Sequence, residues 1–196
     1  MPATAGEDRP LRADARRNRD RLLDVAVRAF SRGGDEATLD AIAKEAGVGI
    51  GTLYRHFPTR EALVEAAYRS ELDRLCEPVP ELLEATAPDE ALRAWMDRFV
   101  EYMTTKHGMA DALSAVIASG GNPFEHSRDK LVTALGLLLG AGARAGSLRS
   151  DIAPVDLLVS LSGITLIAEQ LKDPEQAGRM LDLLMDGLRY RKDSAH

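Results

Sequence analysis

A chain of 196 residues with 45% hydrophobic and 29% charged side chains holds enough apolar material for one or two small domains, which excludes disorder as its main state. Its net charge of −6, from 25 Lys and Arg against 31 Asp and Glu, would repel a phosphate backbone if it were spread evenly. It is not: Arg9 to Arg60 carries 11 basic against 7 acidic residues and Cys76 to His196 carries 12 against 18, so a basic first quarter is joined to an acidic remainder.

Residues 1–15, with Pro2, Gly6 and Pro10 and few large apolar side chains, read as a flexible basic arm. From about Arg16 to Arg32, Leu22, Leu23, Ala26, Val27, Ala29 and Phe30 recur at spacings of three and four, one buried stripe of a helix that Gly33 and Gly34 stop. Thr38 is placed to cap a short helix in which Leu39, Ile42, Ala43 and Ala46 repeat at i, i+3, i+4 and i+7, and Gly47 ends it. The next segment puts Leu53 and Phe57 on one face and leaves Ile50, Thr52, Tyr54 and Arg55 facing outward, until Pro58 stops it. Thr59 then caps a longer helix from about Arg60 to Leu75, with Val64, Tyr68, Leu72 and Leu75 on one side. The stretch Glu77-Pro78-Val79-Pro80 reads as a break. Helical patterns follow over about Asp89 to Lys106, Ala110 to Ala118, His126 to Ala145, Pro154 to Leu171 and Pro174 to Arg191. No alternating β-branched run is long enough for a strand, so the fold class is all-α, divided as 1–15, 16–75 and 76–196.

The single cysteine, Cys76, cannot close an internal disulfide and reads as a buried or inert thiol rather than a redox switch, for which no partner is visible. Met1 to Asp14 contains no apolar stretch suited to a signal peptide, so the expected location is the cytoplasm. The charge-free apolar runs Leu131 to Ala143 and Leu157 to Ala168 fall short of the roughly 18 residues that span a bilayer, so no membrane is expected. There is no P-loop, nucleophile elbow, zinc-protease pattern or paired-carboxylate site, and His107 and His126 lack neighbouring ligands. Catalysis, a metal and a cofactor are therefore not expected.

A short helix, a glycine turn and a second short helix, set between two others, form the pattern of a helix-turn-helix. Its physics requires small or apolar residues where the helices touch, here Ala43, Ala46, Val48 and Leu53, a flexible turn residue, here Gly47, and polar groups on the outer face of the second helix. Periodicity alone leaves an ordinary helical domain equally open. The segment Thr38 to Leu63, TLDAIAKEAGVGIGTLYRHFPTREAL, with the run Gly51-Thr52-Leu53-Tyr54-Arg55-His56-Phe57, resembles the N-terminal DNA-binding domain of TetR-family transcriptional regulators. Ala26 to Gly33, AVRAFSRG, resembles the end of that family's first helix, and the likeness extends from about Arg16 to Leu75. Gly49 departs from the serine or threonine that the family often carries at the cap of its recognition helix.

The resemblance implies roles. Thr52, Tyr54 and His56 match positions at or near the DNA backbone, where a hydroxyl or imidazole N–H donates to phosphate. Ile50 is suited to a thymine methyl and Arg55 to guanine or its flanking phosphates, while Gly51 lets the backbone approach the groove. Thr38 and Thr59 sit at helix N-termini that favour phosphate, and Lys44 and Arg60 add salt-dependent attraction or are simply solvated charges. Arg12, Arg16, Arg17 and Arg19 could reach a minor groove or merely begin a helix.

Beyond about Glu77 the layout resembles, more loosely, the ligand-binding and dimerisation domain of the family, including SbtR-like members. Trp95, Phe99 and Met103 share a helical stripe that is either core or the wall of an apolar pocket, with Met109, Leu113, Ile117, Leu135 and Leu139 as further candidate lining. Gly136, Gly140 and Gly142 interrupt an apolar helix, which close packing or room for a ligand would explain. The last two helices are apolar enough to leave a large patch exposed on a monomer, and the resemblance implies that this pair forms a homodimer addressing a palindromic DNA operator. The expected function is a dimeric repressor released by a small hydrophobic effector; the alternative is a helix-turn-helix regulator that answers to a protein partner or to no ligand.

Overall fold

The computed structural model describes residues 8–33, 37–171 and 173–189. Among them the chain is all-α: α1 Asp8–Gly33, α2 Leu39–Glu45, α3 Ile50–His56, α4 Arg60–Cys76, α5 Val79–Ala85, α6 Pro88–Gly108, α7 Ala110–Ala118, α8 Ser127–Ala145, α9 Pro154–Leu171 and α10 Pro174–Leu188. No strand forms among the described residues, only an isolated antiparallel bridge between Leu148 and Arg189.

Two boundaries differ from the sequence expectation. Asp8 to Ala15, expected in the flexible arm, are helical. Pro10 falls in the first turn, where its missing N–H has no intrahelical partner to lose, and Leu, Arg and Ala around it favour helix. Residues 1–7 of the arm lie outside the described residues. The stretch read as a break leads directly into α5, with Pro78 as its N-cap and Pro80 inside its first turn, so these prolines start a helix as well as ending one.

The chain divides into two compact units. The first gathers the residues through Ser70 with Thr105–Pro123, and so draws α7 and the last turn of α6 to the N-terminal helices. Within it α1, α2 and α3 pack on one another around Leu22, Ala26, Phe30, Ile42, Leu53 and Leu63, all almost fully buried. Gly108 is essential to this packing, since a Cβ there would stand 2.9 Å from the Ser31 carbonyl oxygen.

The second unit comprises Glu71–Thr104 and Phe124–His196. In it α9 packs against both α8 and α10, and α5 against α8. Trp95, Leu92, Met96, Leu135, Leu138 and Leu161 form the driest part of its core. Arg93 joins α6 to α10 through Asp182 at 2.9 Å, and Arg189 lies 3.5 Å from Asp89. The Arg149 amide donates to the Leu188 carbonyl at 2.9 Å, which fastens the end of α10 to the α8–α9 connection.

α9 is long and apolar enough, by length and composition, to cross a bilayer, with a mean hydropathy of 1.3 over its 18 residues. The charge-free run is shorter than this helix, which also includes Asp156 and Glu169. Its contacts with α8 and α10 account for one apolar face within the protein. Gly142 shows how tightly α8 is packed: a Cβ there would stand 2.3 Å from Leu148 Cδ1 and 2.9 Å from its Cβ. Gly142→Ala is therefore expected to lower stability by about 1–3 kcal/mol through overpacking, measured as a lower urea midpoint at unchanged slope.

Candidate nucleic-acid interface

The α2–α3 pair is built from its turn outward. Thr38 caps α2, its hydroxyl oxygen accepting from the Ala41 amide at 3.2 Å. Gly47 takes φ +66°, a left-handed conformation that glycine adopts without Cβ strain, and the Val48 amide then closes back onto the Ala43 carbonyl at 3.0 Å. Gly49 begins α3 with no side-chain cap, as its residue type dictates. Leu53, fully buried, and Phe57, 3% exposed, hold one side of α3 in the core.

That anchoring fixes what faces outward. Tyr54 is 48% exposed, Arg55 and Gly51 are exposed, and Ile50 and Thr52 are half-buried. A Cβ on Gly51 would meet nothing within 4 Å, so nothing inside the protein requires glycine there. His56 is half-buried, and its Nε2 is closed off from solvent without a hydrogen-bond partner. Thr38 and Lys44 on α2 and Thr59 before α4 are exposed, and the Thr59 hydroxyl accepts from the Ala62 amide at 3.0 Å.

Arg60, expected either to attract phosphate or to be a solvated charge, is half-buried. Its guanidinium lies 4.7 Å from the centre of the Phe30 ring and donates to the Ala37 carbonyl. It thus ties the start of α4 to α1 and to the residue preceding the α2 cap. Arg19 similarly stands over Phe57 at 5.7 Å, Arg28 pairs with Glu45 at 3.0 Å between α1 and α2, and Arg17 pairs with Asp14 along α1. Arg16 is exposed on α1; the Arg12 side chain lies outside the described residues. Several arginines of the basic quarter therefore brace the helices around α3, a role that spacing along one helix does not reveal.

A family model described as "Bacterial regulatory proteins, tetR family" matches residues 22–67, and one for the SbtR-like transcriptional regulator C-terminal domain matches residues 87–190. The chain belongs to the TetR family of transcriptional regulators. A solved TetR transcriptional regulator from Streptomyces coelicolor is 56% identical with a TM-score of 0.81, over 87% of this chain and 98% of that one. Another, from Mycobacterium vanbaalenii, is 36% identical with a TM-score of 0.76, over 92% and 100%. The transcriptional repressor KstR of Rhodococcus jostii is 39% identical over 74 residues, which are 37% of this chain and 35% of that protein, so the chain spans about a third of the length of the curated relatives it matches.

The apolar residues assigned to a ligand in this TetR-family chain are divided between the units. Trp95, Phe99, Met103, Leu135 and Leu139 belong to the second, whereas Met109, Leu113 and Ile117 belong to the first, where α7 is packed. Trp95 and Phe99 stack with ring centres 5.5 Å apart, and Phe99 meets Tyr102 at 6.2 Å. Met103 is half-buried and Ile117 is 50% exposed; the others are buried. Of the three glycines in α8, Gly142 is explained by Leu148, while added Cβ atoms at Gly136 and Gly140 would make only contacts of 3.7 and 3.4 Å.

Proposed function

We propose that this chain is a transcriptional repressor that binds a palindromic operator as a homodimer and is released by a small hydrophobic effector. The observation that carries the reading is the outer face of α3, where Tyr54 and Arg55 stand exposed on a helix that Leu53 and Phe57 hold rigidly. In this reading Arg55 and Ile50 read base edges, Thr52 and Tyr54 donate to or flank phosphates, and the N-termini capped by Thr38 and Thr59 favour the same anions, with Lys44 adding charge. His56 takes part through its remaining ring edge, since Nε2 faces inward. KstR, a repressor by name, supports the direction of control.

Tyr54→Ala and Arg55→Ala are each expected to weaken operator binding by about 1–3 kcal/mol while leaving circular dichroism unchanged. Unchanged affinity in a gel-shift titration of either folded variant would falsify the assignment. Gly51→Ala separates affinity from folding more sharply. With open space at the Cβ, the helix gains up to about 1 kcal/mol from alanine's propensity, while the added methyl pushes the backbone off the groove. The expected result is a higher melting temperature with a weaker gel shift; a gain in both sinks the close-approach role.

In this reading the dimer forms through α9 and α10. Val159, Leu166 and Ile167 follow i, i+7 and i+8 along α9 and are 65%, 49% and 41% exposed, and Leu171 and Leu183 add 58% and 74%. Such an exposed apolar row supports an interaction surface on these helices. The effector belongs in the second unit beside the Trp95–Phe99 stack, with Leu135 and Leu139, where Gly136 and Gly140 leave α8 slender without any packing demand.

A further inference from the structure

Arg60 is the first residue of α4, where a cation faces the positive end of the helix dipole; Glu61, next to it, is the residue type that this turn favours. Water would be the least costly place for the guanidinium. Instead the side chain is half-buried and turned back across 23 residues of sequence. Two groups receive it. The buried Phe30 ring, in the last turn of α1, lies under it with its centre 4.7 Å away, and an aromatic face attracts a cation. The Ala37 carbonyl accepts from its Nη1. That oxygen lies outside the α2 ladder, which begins with the Ile42 amide donating to the Thr38 carbonyl at 3.1 Å, so Arg60 gives it a partner that the helix does not.

One side chain therefore holds three elements together: the start of α4, the end of α1 and the residue that leads into the Thr38 cap of α2. A further ionic link between α1 and α2, Arg28 with Glu45 at 3.0 Å, joins two exposed side chains and holds little. α3 has seven residues and no side-chain cap, too little to fix its own direction. Its direction comes from packing on α2 and α1 and from the burial of Leu53 and Phe57.

We propose that Arg60 is a positioning residue for sequence-specific DNA recognition, a pin that fixes α2, and through it α3, against α1 and α4, and that it makes no phosphate contact itself. The proposal rests on the reading of α3 given above. A phosphate contact contributes alike to every DNA sequence and carries a share of the salt dependence. A pin contributes only where α3 must meet particular base edges, because hydrogen bonds of about 3 Å do not survive a tilt that loose docking on any duplex tolerates.

The test uses the full-length protein, an operator duplex that the protein selects from a random-sequence pool, and a scrambled duplex of the same length and composition. Both are titrated by fluorescence anisotropy at several salt concentrations, with circular dichroism confirming that each variant is folded. Arg60→Met keeps an unbranched stem over Phe30 and removes the charge and the donors; Arg60→Lys keeps the charge and removes the planar fork. Arg60→Met should weaken the operator about tenfold and Arg60→Lys about threefold or more, with scrambled-duplex affinity within about twofold of the parent and the logarithmic salt slope unchanged. A slope lower by about 0.9 in Arg60→Met, with both duplexes weakened in step, assigns the side chain to phosphate and overturns the pin. Full operator affinity in Arg60→Lys overturns it as well, since a point charge serves a phosphate. A lower melting temperature with an unchanged operator-to-scrambled ratio leaves Arg60 with stability alone and overturns it again. A parent protein that selects no sequence defeats the reading of α3, whereas selective binding by the parent with any of those three results defeats the pin alone.

Discussion

Trp95→Ala is expected to lower the unfolding free energy by about 3–5 kcal/mol. Trp95 is fully buried and heads the large side chains of the core, and its ring stacks on Phe99 at 5.5 Å with an interplanar angle of 23°. Truncation removes that area and leaves a cavity that a helical core closes only in part. A second cost is polar. Leu75 is the last residue but one of α4, so its carbonyl has no intrahelical donor, and the Trp95 indole N–H supplies one at 3.0 Å. Without it a buried carbonyl is stranded, at a cost of about 1–3 kcal/mol. Trp95→Phe separates the two terms, because it keeps most of the ring and loses only the N–H. Urea unfolding followed by far-ultraviolet circular dichroism should give midpoints in the order wild type, Phe, Ala. A loss below about 1 kcal/mol for alanine would contradict the packing described here.

The same residues show what the sequence made readable. The outward face of α3 is legible because it depends on local rules: Gly47 for the left-handed turn, Thr38 for the cap, and Leu53 and Phe57 four apart for the buried side. α5 was missed because proline is ambiguous, stopping a helix before it and suiting the first turn of one after it. The early start of α1 is hidden in the sequence because its low apolar content points to a flexible arm, although the local propensities favour helix. Arg60 illustrates the harder limit, since no spacing rule says that a long side chain will turn back to Phe30 and Ala37.

Val159→Glu combined with Leu183→Glu is expected to give a folded monomer whose operator affinity is lower by about 10²–10⁴-fold. Both side chains are largely exposed on the single chain, at 65% and 74%, so glutamate costs the isolated fold little. In a two-fold dimer each substitution occurs twice, and four carboxylates without partners are driven into an apolar contact. Each costs several kcal/mol if it stays ionised there. Gly163, on the same stripe as Val159 and Ile167, has nothing within 4 Å of where its Cβ would stand, so the face also has room for a neighbouring helix to come close. The affinity loss follows from linkage between half-sites. Once one recognition helix is bound, the second reaches its half-site at an effective concentration set by the dimer, and a monomer forfeits that gain. Sedimentation velocity should show the mass falling to one chain while circular dichroism is retained, and the gel shift should need correspondingly more protein. A variant that remains a dimer with full affinity would move the interface off α9 and α10. A folded monomer that still binds the full operator as tightly as the parent would remove dimerisation from the mechanism and leave α3 to act alone.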